Sequence, residues 1–377
     1  MEYVMLKEVC AINMGQSPDS NSYNEVEEGL PFFQGNADFG ERYPIARKWC
    51  TAPNKIALAE DILISVRAPI GAINFAYEEC CIGRGLAALT PDKSKIVPDF
   101  LFWFLKHINV ELNDKGTGST FKAIGRNAIE EIKLPNIPLK TQQEISIILG
   151  KIHSVIQMRK QEMCKLDDLI KARFIELFGD VVHNDKGWDA FRFSDITSSR
   201  LGKMLDAKQQ TGKYPFPYLA NANVQWFRFE TDNLNQMDFN EADQKEFALE
   251  DGDLLVCEGG EIGRCAVWHN QVQPCYFQKA LHRVRCNQEI VLPDYLAWWF
   301  KFNCDNKGFT AIEGAKATIA HLPGSKLKVL SVVVPPLMLQ HKFIEFVNQV
   351  NKSKVAVQQA LDKAQLLFDS LMQEYFG

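Results

Sequence analysis

The chain has 377 residues, of which 46% are hydrophobic and 24% are charged, and its formal net charge is −5. This length allows about two or three domains that each bury a core, and the composition excludes a disordered or fibrous protein. The sequence shows no N-terminal signal and no uninterrupted apolar run that could span a bilayer, which predicts a cytoplasmic protein with no membrane partner.

The ten cysteines do not indicate disulfides or a metal site. None forms a Cys-x-x-Cys pair, and Cys80 and Cys81 are adjacent. Because the chain is not a short secreted domain, we expect reduced and mostly buried thiols.

The first segment, 1–135, reads as a mixed globular domain. A β-rich run extends from Ile62 to Val66 among glycines and prolines, and a compact helix is predicted after Pro98 and Asp99. The aromatic run 100–105 could be a base-stacking platform. At helical spacing beside a core, however, it predicts packing.

Segment 136–180 predicts a long helix. Pro138 stands just before it, where proline is tolerated, and Gly179 suits the position after its last turn. About 38 residues would form a rod of roughly 57 Å. Its mostly apolar seam follows alternating steps of four and three: Ile145, Leu149, Ile152, Ile156, Arg159, Met163, Leu166, Ile170, Arg173 and Leu177.

Segments 181–335 and 336–377 give the same signals again. β-rich runs appear at 254–257 and 281–285, and a second compact helix is predicted after Pro293 and Asp294. The second long helix has a matching seam: Phe343, Val347, Val350, Lys354, Val357, Leu361, Ala364, Phe368, Leu371 and Tyr375. The alternative to paired helices is that each long helix packs only on its own globular domain.

The two halves of the chain form an internal repeat, which sets the architecture before any residue has a role. The stretch PLKTQQEI at Pro138 returns as PLMLQHKF at Pro336, and the copies end in LFG and YFG. Other anchors recur in the same order: Gly15 and Gly202, Asn36 and Asn223, Asp61 and Asp253, Pro98 and Pro293, Thr120 and Thr318. The extra residues of the second copy lie between anchors, as loops vary on a fixed scaffold.

Neither the charge distribution nor any catalytic motif indicates a specific function. No segment is strongly basic, which argues weakly against nucleic acid, although a local basic face or a partner subunit could contact phosphate. We find no Asn-Pro-Pro-Tyr type motif, no phosphate-binding loop and no His-Glu-x-x-His. The stretch 116–120 lacks the lysine of a phosphate loop. Asp61 and Asp253 could suggest a nuclease, but both precede apolar runs and predict a turn or strand start.

This order of elements resembles the specificity subunit of a type I restriction-modification system, over essentially the whole chain. The most specific marks are Pro138-Leu139 with Gln142, and Pro336-Leu337 with Gln340, each at the start of a long helix. The first copy departs mildly, because Ile137 stands where the family tends to have a second proline. The chain also starts almost directly at the first domain, which leaves any N-terminal contribution to docking open.

The resemblance implies an α+β fold with a pseudo-two-fold internal repeat. Two similar mixed α/β target recognition domains, 1–135 and 181–335, would be joined by two spacer helices, 136–180 and 336–377, that form an antiparallel coiled coil. Each domain would read one half of a bipartite, asymmetric double-stranded DNA target. The coiled coil would set the spacing and dock two modification (methyltransferase) subunits. Whether restriction (nuclease and translocase) subunits also bind is left open.

The resemblance also implies a non-catalytic chain, with S-adenosylmethionine, ATP and magnesium on partner subunits. Physical reasoning favours the same division, because sequence is read from base edges and one compact domain reaches only a few base pairs. Tethering raises the effective concentration of the second domain once the first has bound. Diverged loops predict different halves and therefore a non-palindromic target.

Polar or basic residues in loops beside repeated anchors are the candidates for DNA contact, because arginine and lysine pair with guanine or phosphate and amides pair with adenine. They are Gln16, Ser17, Asn36, Arg67, Arg84, Ser119, Lys122 and Arg126 in the first domain, and Lys203, Asn223, Arg264, Lys279, Lys316 and Thr318 in the second. Alanine at Arg67 or Arg264 is expected to weaken the reading of one half only.

Two other classes stay open at this point. One is a restriction enzyme of another type, in which the repeat serves a fused catalytic domain, although the missing motifs argue against it. The other is a DNA-free scaffold whose coiled coil joins two partner proteins.

Overall fold

The computed structural model describes residues 2–114, 116, 122–205, 211–309 and 321–377. The chain divides into unit 1, Met1–Glu162 with Val357–Gly377, and unit 2, Met163–Ala356. Both divisions fall inside the long helices, Leu139–Phe178 (long helix 1) and Leu337–Phe376 (long helix 2), so each helix contributes one half to each unit. The four-part division by sequence stays a prediction about boundaries.

Unit 1 contains two main sheets. An antiparallel four-stranded sheet has the order Cys10–Met14, Leu86–Pro91, Ile62–Ser65 and Ile73–Phe75. A mixed five-stranded sheet has the order Tyr23–Asn24, Trp49–Cys50, Leu30–Phe33, Cys80–Ile82 and Ile56–Ala57. Tyr3–Met5 pairs with Lys133–Pro135, and the helices of this unit's globular part include Leu6–Val9, Pro98–His107, Asn109–Asp114 and Arg126–Glu130.

Unit 2 repeats this plan. Its antiparallel four-stranded sheet has the order Thr197–Leu201, Leu281–Cys286, Leu254–Cys257 and Cys265–Val267. A three-stranded sheet has the order Asn235–Asp238, Pro215–Leu219 and Tyr276–Phe277, and two pairs join Ala190–Arg192 to Ser331–Val333 and Val224–Gln225 to Arg228–Phe229. Helices include Phe193–Ile196, Glu241–Phe247, Pro293–Asp305 and Gly324–Lys328.

The compact helices predicted after the Pro-Asp pairs are present in both units. Pro98 and Pro293 begin them, as expected for a residue without an N–H at a helix start. Phe100 is fully buried, Trp103 is 1% exposed, and Tyr295 is fully buried, so these aromatic runs form core. The packing interpretation is therefore confirmed for them, and we call these elements domain helix 1 (Pro98–His107) and domain helix 2 (Pro293–Asp305).

The long helices pair antiparallel within each unit. In unit 1, Leu149 of long helix 1 shares one core with Phe368 and Met372 of long helix 2. In unit 2, Phe174 of long helix 1 shares another with Phe343 of long helix 2. The amino-terminal half of one helix thus meets the carboxy-terminal half of the other. The predicted seam residues are all buried or half-buried, and the alternative that each helix packs on its own domain is excluded.

A buried glutamine explains the motif at the start of each long helix. Gln142 Oε1 accepts the backbone N–H of Val97 at 2.8 Å, and its amide donates to Ile137 O at 2.8 Å. Gln340 is fully buried, and its Oε1 accepts the N–H of Leu292 at 2.9 Å. Since Val97 and Leu292 cap the two domain helices, each glutamine joins a long helix to its domain helix.

The repeated aspartates have the turn role expected of them. Asp61 Oδ2 accepts the N–H of Leu58 at 2.8 Å, and Asp253 Oδ2 accepts that of Glu250 at the same distance. Both carboxylates are buried, at 3% and 2% exposure, and each precedes a central strand. The ten cysteines are free thiols, seven of them buried, as predicted. Among the described residues, every helix is too short or too polar to cross a membrane.

Candidate functional site

Five loops of unit 1 meet at one side of its sheets, and we call them loop edge 1: residues 15–17, 34–36, 66–68, 83–85 and 122–123. Backbone hydrogen bonds join them. Gln16 N donates to Ile82 O at 3.1 Å, Gly83 N to Phe33 O at 2.8 Å, and Val66 N to Gly85 O at 2.9 Å. Ile124 N donates to Val66 O at 3.0 Å. Loops that follow different strands are therefore held together as one surface.

Unit 2 has the same arrangement, loop edge 2: residues 202–203, 219–223, 258–260, 278–280 and 321–322. Lys203 N donates to Phe277 O at 3.1 Å, Gln278 N to Leu219 O at 3.1 Å, and Glu258 N to Ala280 O at 2.9 Å. Leu322 N donates to Glu258 O at 2.7 Å. Each of these bonds has a counterpart in loop edge 1, so the repeat extends to individual hydrogen bonds.

Glycine is required at the start of both loop edges. A Cβ at Gly15 would come closer than 3.0 Å to the carbonyl oxygens of Gly83 and Leu86, and one at Gly202 would do the same to Gln278. The first sheet strand in each unit therefore runs directly against the loop that leads into the sheet's second strand. This close approach explains why Gly-Gln and Gly-Lys occupy equivalent places in the repeat.

Four basic candidates of unit 1 lie on or next to loop edge 1. Arg67, Arg84 and Lys122 are exposed, and within the described chain none of them has a carboxylate partner. Arg126 is also exposed, on the short helix that follows, and its Nε binds Glu130 Oε1 at 2.6 Å. The structure thus brings most of the basic candidates of the first domain together.

The polar candidates of unit 1 divide into surface and framework. Gln16 is exposed, whereas Ser17 is half-buried and its Oγ accepts the N–H of Arg84 at 3.3 Å. Asn36 is half-buried in a short 3-10 turn, and its carbonyl accepts Phe39 N at 3.1 Å. Ser17 and Asn36 therefore shape loop edge 1, and Gln16 presents an amide at its surface.

Loop edge 2 presents fewer cations. Lys279 is exposed, at the position equivalent to Arg84. Lys203 is only 9% exposed, and its Nζ donates to Asp238 O and Asp243 Oδ2, both at 2.6 Å. The sequence predicted a loop residue available to DNA, but in the structure this ammonium group binds the end of strand Asn235–Asp238 and the helix Glu241–Phe247.

The two remaining described candidates of unit 2 also have internal partners. The amide of Asn223 donates to Glu230 O at 3.0 Å and accepts Ala220 N at 2.9 Å. The guanidinium of Arg264 is half-buried and donates to Asn221. The candidates Ser119, Lys316 and Thr318 lie outside the described residues.

Sequence reasoning missed two residues of these edges. His321 is exposed, and its backbone bridges to Gly259 as that of Ala123 bridges to Arg67. Asn221 donates through Nδ2 to Gly259 O at 2.8 Å. The shift of the Thr120 and Thr318 anchor aligns Ala123 with His321 and could have found it, whereas nothing in the local sequence distinguishes Asn221 from Asn223.

Lys203→Met is expected to lower the free energy of unfolding of unit 2 by about 2–4 kcal/mol, because the nearly buried ammonium group loses its ion pair with the half-buried Asp243 carboxylate and its hydrogen bond to Asp238 O. Chemical unfolding measures the change. Gln16→Met is the matched control at the equivalent exposed position of unit 1, expected within about 0.5 kcal/mol of the parent. Equal stability of the two variants would contradict this role of Lys203.

The geometry defines a class: a duplicated α+β protein with one composite loop surface per unit beside paired long helices. The family described as "Type I restriction modification DNA specificity domain" matches residues 1–166 and 185–365. The chain belongs to this family. Membership agrees with the sequence-based resemblance to a type I specificity subunit.

The curated relatives align with only part of this chain. It is 44% identical over 151 residues to the "Putative type I restriction enzyme MjaX specificity subunit" of Methanocaldococcus jannaschii, covering 40% of this chain and 36% of the relative. It is 24% identical over 267 residues to the "Putative type I restriction enzyme specificity subunit S.HindORF215P" of Haemophilus influenzae, covering 68% and 65%. The chain thus spans about a third of the first relative's length and just under two thirds of the second's.

Solved structures support the fold over the full length. The S subunit of a type I restriction-modification system from M. genitalium superposes with a TM-score of 0.62 at 12% identity, covering 100% of this chain and 96% of that one. A chain from a study of "complex assembly" and "conformational transition of the type I R-M system" gives 0.61 at 15% identity, covering 100% and 97%. At these identities the similarity shows the fold alone.

Proposed function

We propose that this chain is the DNA-recognition subunit of a type I restriction-modification complex and that each loop edge reads one half of a bipartite, asymmetric target. The observation that carries the proposal is the pair of loop edges with equivalent hydrogen bonds and different side chains. Equivalent positions hold Gln16 and Lys203, Arg67 and Gly259, Arg84 and Lys279, Ala123 and His321.

A shared frame with different side chains fits sequence reading. The frame determines how a loop surface approaches a duplex, and the side chains determine which base edges are matched. Because the two edges differ at every position named above, their preferred bases differ, and the target is not a palindrome. The exposed cations of loop edge 1 contact phosphate or guanine, so a net charge of −5 is compatible with a local basic surface.

We propose further that the paired long helices set the spacing of the two half-targets and dock two modification subunits. Each unit supports this with a groove between its domain helix and a long helix. The groove of unit 1 has a volume of about 510 Å³ and includes Trp103 and His153, and that of unit 2 has about 890 Å³ and includes Trp298 and Asn351. These residues are equivalent in the repeat, so one kind of partner would find two similar sites.

The chemistry then belongs to other chains of the complex. We propose that S-adenosylmethionine, ATP and magnesium bind to partner subunits, that restriction subunits complete the system, and that the complex acts in the cytoplasm.

The repeat-equivalent pair Arg84→Ala and Lys279→Ala tests the proposal. In complex with its modification partner, Arg84→Ala is expected to weaken or relax the first half of the methylated sequence only, and Lys279→Ala the second half only. A lost base contact lowers affinity by about 1–3 kcal/mol, and a lost phosphate contact lowers the salt slope by about 1. Genome-wide adenine methylation and salt-dependent binding of duplex DNA measure these effects.

Lys7→Ala is the control, since Lys7 is exposed at the opposite end of strand Cys10–Met14 from loop edge 1. It should leave both halves unchanged. A complex that binds random-core duplex no better than the modification partner alone would favour the scaffold function instead. A single continuous palindrome would contradict the assignment of one half to each edge.

A further inference from the structure

Arg264 binds one turn of loop edge 2, and that turn binds a second loop of the same edge. Its Nη2 donates to both oxygens of Asn221, at 3.1 Å to the backbone carbonyl and at 2.8 Å to Oδ1. Asn221 Nδ2 in turn donates to Gly259 O at 2.8 Å. One guanidinium therefore holds the turn Asn221–Asn223, and this turn is connected through Asn221 to the loop at Gly259.

Burial determines how this guanidinium is oriented. The Nε atom of Arg264 is inaccessible to solvent and has no hydrogen-bond partner in the described chain, and the residue as a whole is half-buried. An arginine that reached for phosphate or guanine would present its donors to solvent. Here the inner part of the group is enclosed, and Nη2 is bound to Asn221.

Unit 2 has this connection because one position of the repeat holds a different residue in the two units. Ala72 is the equivalent of Arg264, because Ser65 N donates to Ala72 O at 2.8 Å as Cys257 N donates to Arg264 O at 2.8 Å. Gly71 and Gly263, the preceding residues, both have positive φ angles, 86° and 76°. A methyl group cannot donate, so Ala72 cannot replace the bonds that Arg264 makes to the turn of unit 2. The bond that the two turns share is a different one: Gln34, the residue equivalent to Ala220, donates its N–H to Asp38 Oδ2 at 2.9 Å, as Ala220 donates its N–H to Asn223 Oδ1 at 2.9 Å.

We propose that Arg264 is a positioning residue for the second half-target: it acts through Asn221 to hold the turn 221–223 in its reading position and makes no contact with DNA itself. The inference rests on the proposed function. The turn presents Ala222, which is exposed between Asn221 and Asn223, whose side chains bind within the unit. A displaced turn would carry Ala222 away from the base edges.

The test compares Arg264→Met, Arg264→Lys and Asn221→Ala in the complex with the modification partner. Sequences selected from a randomised duplex library give separate profiles for the two halves. Arg264→Met and Asn221→Ala should each lower discrimination in the second half by at least about fivefold. The double variant should add nothing further, because both changes break one connection. Arg264→Lys, which keeps a donor, should recover part of the loss.

Salt dependence separates positioning from contact. If Arg264 gripped phosphate, Arg264→Met would lower the slope of log K against log salt by about 1. A positioning role leaves that slope unchanged while the second-half profile relaxes. An unchanged second-half profile, or a lower slope, would overturn the inference.

Hydrogen exchange of unit 2 shows whether a variant folds. If Arg264→Met unfolds the unit, Asn221→Ala tests the positioning role instead, because it removes the Asn221 Oδ1 acceptor and leaves Arg264 in place. Failure of the proposed function looks different, because the parent complex itself would then show no bipartite target.

Discussion

Gly202→Ala is expected to destabilise unit 2 by about 1–3 kcal/mol and to abolish reading of the second half-target. The added Cβ would approach Gln278 O and C closer than 3.0 Å, and both are backbone atoms that cannot move as a flexible side chain can. Overpacking of this kind forces a shift of the chain itself. The shift would break the bonds from Lys203 N to Phe277 O and from Gln278 N to Leu219 O, on which loop edge 2 depends.

Gly15→Ala and Gly150→Ala are the matched variants. The first should reproduce the effect in unit 1, where the new Cβ meets Gly83 and Leu86. The second lies within long helix 1, where an added Cβ would meet no atom within 4 Å apart from its own chain neighbours and helix backbone, so it should stabilise by up to about 1 kcal/mol. Chemical unfolding with hydrogen exchange resolves each unit. Unchanged protection around Gln278 in Gly202→Ala would refute the packing argument.

Gln340→Leu is expected to lower the free energy of unfolding of unit 2 by about 3–5 kcal/mol. Leucine has a similar size, so the loss is mainly that of hydrogen bonds. The N–H of Leu292 loses its acceptor, and the carbonyls of Ile290 and Pro335 lose donors at 3.1 and 2.7 Å. Each buried backbone group left unpaired costs about 1–3 kcal/mol.

Gln349→Leu is the control, because Gln349 is exposed on the same helix. Its effect should stay within about 0.5 kcal/mol. Gln142→Leu should behave like Gln340→Leu in unit 1, since Gln142 bonds Val97 N and Ile137 O in the same way. Urea unfolding of the four proteins measures the differences. If Gln340→Leu and Gln349→Leu unfold at the same urea concentration, the glutamine is not a structural anchor.

Much of the architecture could be predicted from the sequence. The heptad seams from Ile145 to Leu177 and from Phe343 to Tyr375 predicted two long helices, and both extend over 40 residues. The Pro-Asp pairs predicted the domain helices, and Asp61 and Asp253 were correctly assigned to turns. These signals are local, because periodicity and a proline at a helix start act within a few residues.

The candidate site was predicted less completely. The repeat identified loops that the structure shows to be equivalent, since Gly15 and Gly202 mark equivalent bends. It could not say which side chains are already bound within the fold. Lys203 and Gln16 occupy equivalent positions in sequence, yet one is buried against Asp243 and the other is exposed. That difference depends on a helix some 40 residues further along the chain.

By itself, then, the sequence determined the duplication, the long helices, the family and the equivalence of the loops in the two units. Only the tertiary structure decided that Gln142 and Gln340 join the helices to the domain helices, and that Arg264 binds Asn221. The physical reason is the distance along the chain over which each interaction acts. Helix periodicity and turn chemistry are set by neighbours along the chain, whereas a buried donor finds its acceptor across the fold, where loop closure brings together residues that no local pattern relates.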